Sequence, residues 1–245
     1  MPRFFVPSQN INDEFIRITG SDAVHITRSL RMSKGEKITV CDMHSSEFLC
    51  EIYAFENGEV ILKILNRETG RTEPPYRVTL FQALPKGDKM DSIVQKSVET
   101  GVYAIVPFIS ERCVSRPDSK SEKNKLERWN RISLEAAKQC GRGIVPEVRS
   151  VCRFDDAVRQ AAKFSLPILL YEGSRMISLK AVLENAADCT EISIIVGCEG
   201  GFSAAEAEKA VGAGIYAAGL GPRILRCETA PAAALSAISY ALELR

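Results

Sequence analysis

Histidine is almost absent from this chain, with two residues in 245. A zinc site built on histidine is therefore not expected, and catalysis by a histidine base has few candidates. Eight cysteines are scattered with no Cys-x-x-Cys pair, so no metal is expected from thiolates either. Unpaired thiols suit a reducing compartment. No apolar run is long enough to span a bilayer, and no signal-peptide pattern opens the chain, so a cytoplasmic protein without a membrane partner is expected. No Gly-x-Gly-x-x-Gly follows a strand-like run, and no glycine loop ends in Gly-Lys-Ser or Gly-Lys-Thr. The common phosphate-cradling motifs are therefore missing. Excess charge is also missing, with 32 Lys and Arg against 31 Asp and Glu.

What charge there is lies unevenly. Residues 111–142 carry 9 Lys and Arg against 5 Asp and Glu, a local net of +4 in a chain of net +1. Such a segment is either a phosphate-contacting footprint or a solvated helix face.

The first seventy residues read as β. Ile38 to Cys41, Phe48 to Phe55 and Val60 to Leu65 are short runs of strand formers, and Asn57-Gly58 between the last two signals a hairpin. Ala23 to Leu30, preceded by Ser21-Asp22, reads as a short capped helix. A small barrel of five or six strands fits residues 1–72. Gly70, Pro74 and Pro75 then punctuate a boundary.

Residues 73–245 alternate strands and helices. Tyr76 to Leu84, Val102 to Ile109, Val145 to Val148, Leu166 to Tyr171, Ile192 to Val196 and Gly214 to Gly219 are the strand candidates. Asp88 to Thr100 and Ser121 to Gly141 are helical. This is the order of an α/β fold with a parallel sheet. Ile192 to Val196 ends in Gly197-Cys198-Glu199-Gly200-Gly201-Phe202, and Ser203 with Glu206 predicts a capping box there. Tyr171-Glu172-Gly173 is another strand-end turn. Leu220-Gly221-Pro222-Arg223-Ile224-Leu225-Arg226-Cys227-Glu228-Thr229-Ala230 cannot be regular structure, because Gly221 permits positive φ and Pro222 fixes its own. Pro231 and Ala232, Ala233, Ala234, Ala237 and Ala241 then form a helix with a close-packing face. The charged stretch before it reads as a ligand loop, or as a surface loop with its own salt bridges. In open α/β sheets, ligands sit beyond the carboxyl ends of the strands.

The two loops Ile-Val-Gly-Cys-Glu-Gly-Gly-Phe-Ser and Leu-Gly-Pro-Arg-Ile-Leu-Arg-Cys-Glu-Thr-Ala resemble those of the ribosomal RNA small subunit methyltransferase E family. Met1 to Val6, Arg28 to Met32, Ala83 to Met90, Ser110 to Arg112 and Glu135 to Arg142 extend the resemblance along the chain. It implies a PUA-like or OB-like RNA-binding domain over residues 1–72. It also implies a SPOUT-type methyltransferase domain with a deep trefoil knot over 73–245. S-adenosyl-L-methionine would be the cofactor, 16S rRNA in the 30S subunit the partner, and N3 of uridine 1498 the target. A homodimer is implied through the last helix.

That chemistry needs a stabilised uracil anion in line with a sulfonium methyl. Cations beside O2 and O4 would hold the developing charge, and positioning would supply much of the remaining rate. The catalytic candidates are Arg142, Arg112 and Arg226, with Arg142 the first choice for the uridine. Arg3, Arg28, Arg31 and Arg223 are the candidates for RNA. The resemblance places the cofactor on Leu170, Glu172, Gly197, Glu199, Gly200, Gly201, Leu220, Gly221, Ile224, Leu225, Glu228, Thr229 and Ala230. Thr229 also stands where a helix cap belongs.

The chain departs from the family in two places. Cys198 stands where the family loop usually has proline, and Asp42-Met43-His44 where it usually has Asp-Gly. Two other function classes fit parts of the sequence. One is an RNA-binding module without activity. The other is an α/β enzyme using a nicotinamide cofactor, against which the missing glycine fingerprint counts.

Overall fold

The computed structural model describes every residue except 45, 71, 174–175, 185, 187–188 and 245. The described chain divides into two compact units. One comprises residues 1–73 with 137–145, and the other residues 74–136 with 146–245.

The first unit is built on five strands: β1 (Arg3–Phe5), β2 (Phe15–Ile18), β3 (Lys37–Cys41), β4 (Ser46–Glu56) and β5 (Glu59–Thr69), in the spatial order β1-β3-β4-β5-β2. β1 runs parallel to β3, and the other pairings are antiparallel. Asn57 and Gly58 turn β4 into β5 with φ of 50° and 81°, the two positive values that a tight primed turn needs. β4 alternates strictly, burying Phe48, Cys50, Ile52 and Ala54, as a sheet with one packed face should. Phe48, Cys50 and Ile52 meet Phe4, Ile16, Ile38, Val40, Val60 and Leu62 in one apolar cluster.

Helix α1 (Gly20–Val24) lies on the same core through Ala23. The sequence predicts one helix from Ala23 to Leu30. The chain instead widens into a π-type turn over His25–Ser29, which buries Ile26. Asp22 does not cap the helix. It pairs with Lys138 at 2.9 Å.

The second unit holds an eight-stranded sheet in which every pairing is parallel. In chain order its elements are β6 (Arg77–Ala83), α2 (Lys89–Glu99), β7 (Ala104–Ile109), α3 (Ser119–Cys140), β8 (Glu147–Val148), β9 (Cys152–Arg153), α4 (Phe154–Ala161) and β10 (Leu166–Leu170). There follow β11 (Ile177–Ser178), α5 (Leu179–Glu184), β12 (Glu191–Val196), α6 (Ala204–Gly212), β13 (Tyr216–Gly219) and α7 (Ala230–Leu242). The last turn of α3 belongs to the first unit. The spatial order is β11-β13-β10-β12-β6-β7-β8, with β9 also paired to β7. β6, β10 and β12 are buried along nearly their whole length, which explains why apolar residues predominate in them. Among the described residues no helix is long and apolar enough to cross a membrane.

Candidate functional site at the carboxyl edge of the parallel sheet

Because all strands of the second unit run the same way, their C-terminal loops lie along one edge. In sheet order these loops follow β13 (residues 220–229), β10 (171–173), β12 (197–203), β6 (84–88) and β7 (110–118). The loops after β12 and β13 are not on adjacent strands, as the sequence would allow. β10 stands between them, in register with both. The turn after β10 is thus the middle one of these three. An added Cβ on Gly201 would lie 3.6 Å from Glu172 Oε1, so the middle loop reaches the glycine loop.

The β12 loop is tightly folded. Gly201 N–H donates to Cys198 O at 2.9 Å, and Ser203 begins α6 with the predicted capping box. Gln82, fully buried on β6, donates from Nε2 to Gly197 O at 3.2 Å and to Ala83 O at 3.0 Å. Arg112 donates from Nη1 to Gly200 O at 2.7 Å. Its stem lies so close that an added Cβ on Gly200 would sit 3.1 Å from Arg112 Cβ. Glu111 ties the same loops together: its N–H donates to Glu206 Oε1 at 2.9 Å, and its carboxylate accepts from Ser203 Oγ at 2.7 Å.

Cys113 and Cys198 are both buried. The neighbouring Cys113 thiol lowers the Cys198 thiol below its ordinary range against the cost of burial, and the same interaction raises Cys113. Ser110 Oγ lies 3.2 Å from Cys113 Sγ.

In the β13 loop Gly221 takes φ 108°, a value that an L side chain rarely adopts. Leu225 and Glu228 are half-buried, Ala230 is buried, and Ile224 is 79% exposed. An apolar side chain that open, on a loop facing the glycine turns, is available to a ligand. Thr229 occupies the N-cap of α7 but makes no capping bond through its side chain.

Charge joins these loops. Lys89 Nζ is 2.8 Å from Glu199 Oε1 and 3.7 Å from Glu228 Oε2. Burial opposes ionisation of Glu199, but the Lys89 ammonium and the Lys86 N–H outweigh it and hold the carboxyl below its ordinary range. Glu228 is lowered by its own backbone N–H and by the Cys227 thiol. Lys89 is raised, first by its bond to Glu199. Lys89 is not among the residues expected from sequence; its one signal is a lysine at the first position of α2, three residues after Lys86 in the turn that follows β6.

The candidate arginines are scattered. Arg112, Arg223 and Arg226 are exposed in the loops of the second unit. Arg226 is 4.0 Å from Glu228 Oε1 and otherwise open, at 83% exposure. In the first unit, Arg28 and Arg31 are exposed. Arg3 is held inward, donating to Glu47 at 2.7 Å, to Cys41 Sγ at 2.9 Å and to Arg142 O at 3.2 Å. Arg142 also belongs to the first unit and is 4% exposed. Its Nε and Nη2 donate to Glu73, so that much of the guanidinium is engaged. A shallow hollow of about 360 Å³ at the start of α3 is lined by Asp118, Lys120, Ser121, Asn124, Lys125 and Arg128. Its cations suit an anionic surface partner, and it lies apart from the glycine loops.

An RNA methyltransferase domain family matches residues 72–239, and an RNA methyltransferase PUA domain family matches residues 18–65. The ribosomal RNA small subunit methyltransferase E of Bacillus subtilis is 36% identical over all of this chain and 98% of its own length. The crystal structure of a ribosomal RNA small subunit methyltransferase E from Neisseria gonorrhoeae, bound to S-adenosyl methionine, superposes with a TM-score of 0.84. It is 33% identical and covers 99% of this chain and 98% of that one. A methyltransferase from Legionella pneumophila, in complex with its cofactor SAM, gives 0.85 at 32% identity, covering 98% of this chain and 97% of its own. Matched in fold, in sequence and over nearly its whole length, the chain belongs to the ribosomal RNA small subunit methyltransferase E family.

Proposed function

We propose that this protein transfers the methyl group of S-adenosyl-L-methionine to N3 of a uridine in the 16S rRNA of the small ribosomal subunit. The observation that carries the reading is the meeting of three loops on β13, β10 and β12 at one sheet edge. It is supported by membership of a family whose relatives carry that cofactor in their structures.

Backbone N–H and C=O groups of Leu170, Gly197, Gly200, Gly201, Leu220, Gly221, Leu225 and Ala230 would read the adenine edge. Ile224 would cover the ring. Glu172, Glu199, Glu228 and Thr229 would serve the ribose and the cationic parts of the cofactor. When bound, the cofactor supplies the methyl group. The chain must expose uracil N3, hold it in line and stabilise its negative charge.

Arg112 and Arg226 are the exposed cations of the second unit proposed for that charge. Arg142 is proposed as the residue that fixes the 141–145 turn, since its guanidinium is committed to Glu73. Arg223, Arg28 and Arg31, with the lysines at the start of α3, would contact phosphates. Arg3 would act only through the fold of the first unit. Residues 1–72 are proposed as the RNA-binding domain and 73–245 as the catalytic domain. We also propose that the path through the loops and α7 forms the trefoil knot of the SPOUT class, and that α7 pairs two copies through its alanine face and the exposed Tyr240.

Calorimetric titration tests the cofactor part. S-adenosylhomocysteine should bind, and NAD and ATP should not bind comparably. Binding of NAD alone would overturn it.

A further inference from the structure

Lys89 is the first residue of α2, and its side chain reaches out of its own loop. Glu199 belongs to the loop after β12, and Glu228 to the loop after β13. These strands are separated by β10 and share no hydrogen bond. One ammonium therefore bridges two loops that the sheet itself does not join, at 2.8 and 3.7 Å. Each carboxylate has a further donor, Glu199 from the turn after β6 and Glu228 from its own neighbour. Glu199 accepts from the Lys86 N–H at 3.1 Å through Oε1 and 3.4 Å through Oε2. Glu228 Oε2 accepts from Cys227 Sγ at 3.2 Å. Arg226 reaches Glu228 alone. Among the described residues no other cation lies within ion-pair reach of both glutamates.

We propose that Lys89 is a positioning residue for the methyl transfer: its ammonium latches the two glycine loops at the spacing that holds the cofactor. This rests on the cofactor reading given under Proposed function. Loops at a sheet edge are otherwise the mobile part of such a domain. A single part-exposed ion pair contributes little. Here one lysine serves two carboxylates, so its side-chain freedom is lost once for two attractions. Both glutamates stay ionised in the latched form, which keeps the attraction in place at neutral pH. Lys89 lies on neither glycine loop, so its effect on the cofactor is exerted through them.

The test compares Lys89→Met and Lys89→Arg with the wild-type chain in two measurements. The first is amide hydrogen exchange of residues 197–203 and 220–229 without cofactor. Exchange should quicken in both loops in K89M and return towards wild type in K89R. The second is steady-state methyl transfer to 30S subunits. KM for S-adenosylmethionine should rise about three- to tenfold in K89M with kcat nearly unchanged, and K89R should recover most of it. Unchanged exchange in K89M overturns the latch, and so does failure of K89R to rescue. If the wild-type chain binds no S-adenosylmethionine while exchange responds as stated, the latch stands and the cofactor reading falls. Should K89M not fold, Glu199→Gln and Glu228→Gln carry the same test, each expected to quicken exchange in its own loop and in the other. Confinement of the effect to the substituted loop overturns the link.

Discussion

Arg142 and Glu73, 69 residues apart in sequence, form a forked ion pair: Nε is 2.9 Å from Oε1 and Nη2 is 2.6 Å from Oε2. Glu73 Oε1 also accepts the N–H groups of Gly143 at 2.8 Å and Ile144 at 3.3 Å. One carboxylate thus organises the whole turn after α3, inside the first unit. The arginine side chain is 5% exposed and the glutamate 17%. Removing one partner of such a pair strands the other charge out of water, which costs far more than the net worth of the pair.

Arg142→Ala should therefore destabilise the fold by about 3–5 kcal/mol. Glu73→Ala should do the same, and the double Arg142→Met/Glu73→Met variant should cost less than the sum of the two. Urea unfolding of the three variants measures this. Unchanged stability together with a large fall in turnover would place the guanidinium at the uridine instead.

Gly200→Ala should weaken S-adenosylhomocysteine binding by roughly three- to tenfold, because the new methyl must displace the Arg112 stem, a neighbour that can partly yield. Arg112→Gly, which removes the Cβ at 3.1 Å together with the stem, should relieve that clash. The double-mutant cycle should then show a coupling of about 0.5–3 kcal/mol. Additive losses in calorimetry would mean that Arg112 and Gly200 do not share this contact.

Cys198 should titrate below an ordinary thiol, because the neighbouring Cys113 thiol favours its thiolate. A depressed thiol behaves as a depressed carboxylate does under linkage. Its contribution to stability is full above the ordinary thiol value and is lost as pH falls through its lowered folded-state value. Cys113, raised by the same interaction, acts in the opposite sense over the alkaline range. Iodoacetamide alkylation of Cys198, slow because the thiol is 5% exposed, should therefore hold its rate to lower pH than that of a free thiol, as followed by peptide mass spectrometry. In Cys113→Ala the rate profile should move to higher pH. An identical profile in both proteins would show that Cys113 does not set the Cys198 titration.

Much of this fold was legible in the chain, for reasons that differ by element. β12 announced itself as a largely apolar, β-branched run because both of its faces are covered. Asn57-Gly58 fixed the β4–β5 hairpin, and Ser203 with Glu206 fixed the start of α6, because each depends only on neighbouring residues. The order of strands in the sheet was not legible. It rests on contacts between distant segments, so the insertion of β10 between β12 and β13 could not be read from spacing. Caps were over-read for the same reason. Asp22 and Thr229 stand at helix starts, yet neither side chain makes a capping bond.

In the site, the glycine loops were visible as composition, while the partners of the charged side chains were not. Arg142 and Arg3 look like free cations in the sequence, and only the fold brings Glu73 and Glu47 to them. Lys89 shows the converse. Nothing in its own neighbourhood predicts two glutamates that lie more than a hundred residues downstream, one of them 110 positions away.

The proposed activity is the transfer of a methyl group to one uridine. The direct measurement incubates the protein with isotopically labelled S-adenosylmethionine and small ribosomal subunits lacking the modification, and maps the labelled nucleotide in 16S rRNA by mass spectrometry. A single labelled uridine with the methyl on N3 is expected, with loss of that label in the Arg226→Ala variant at unchanged cofactor binding. A methyl group on a ribose or on another base, or cofactor binding without any transfer to 16S rRNA, would contradict it.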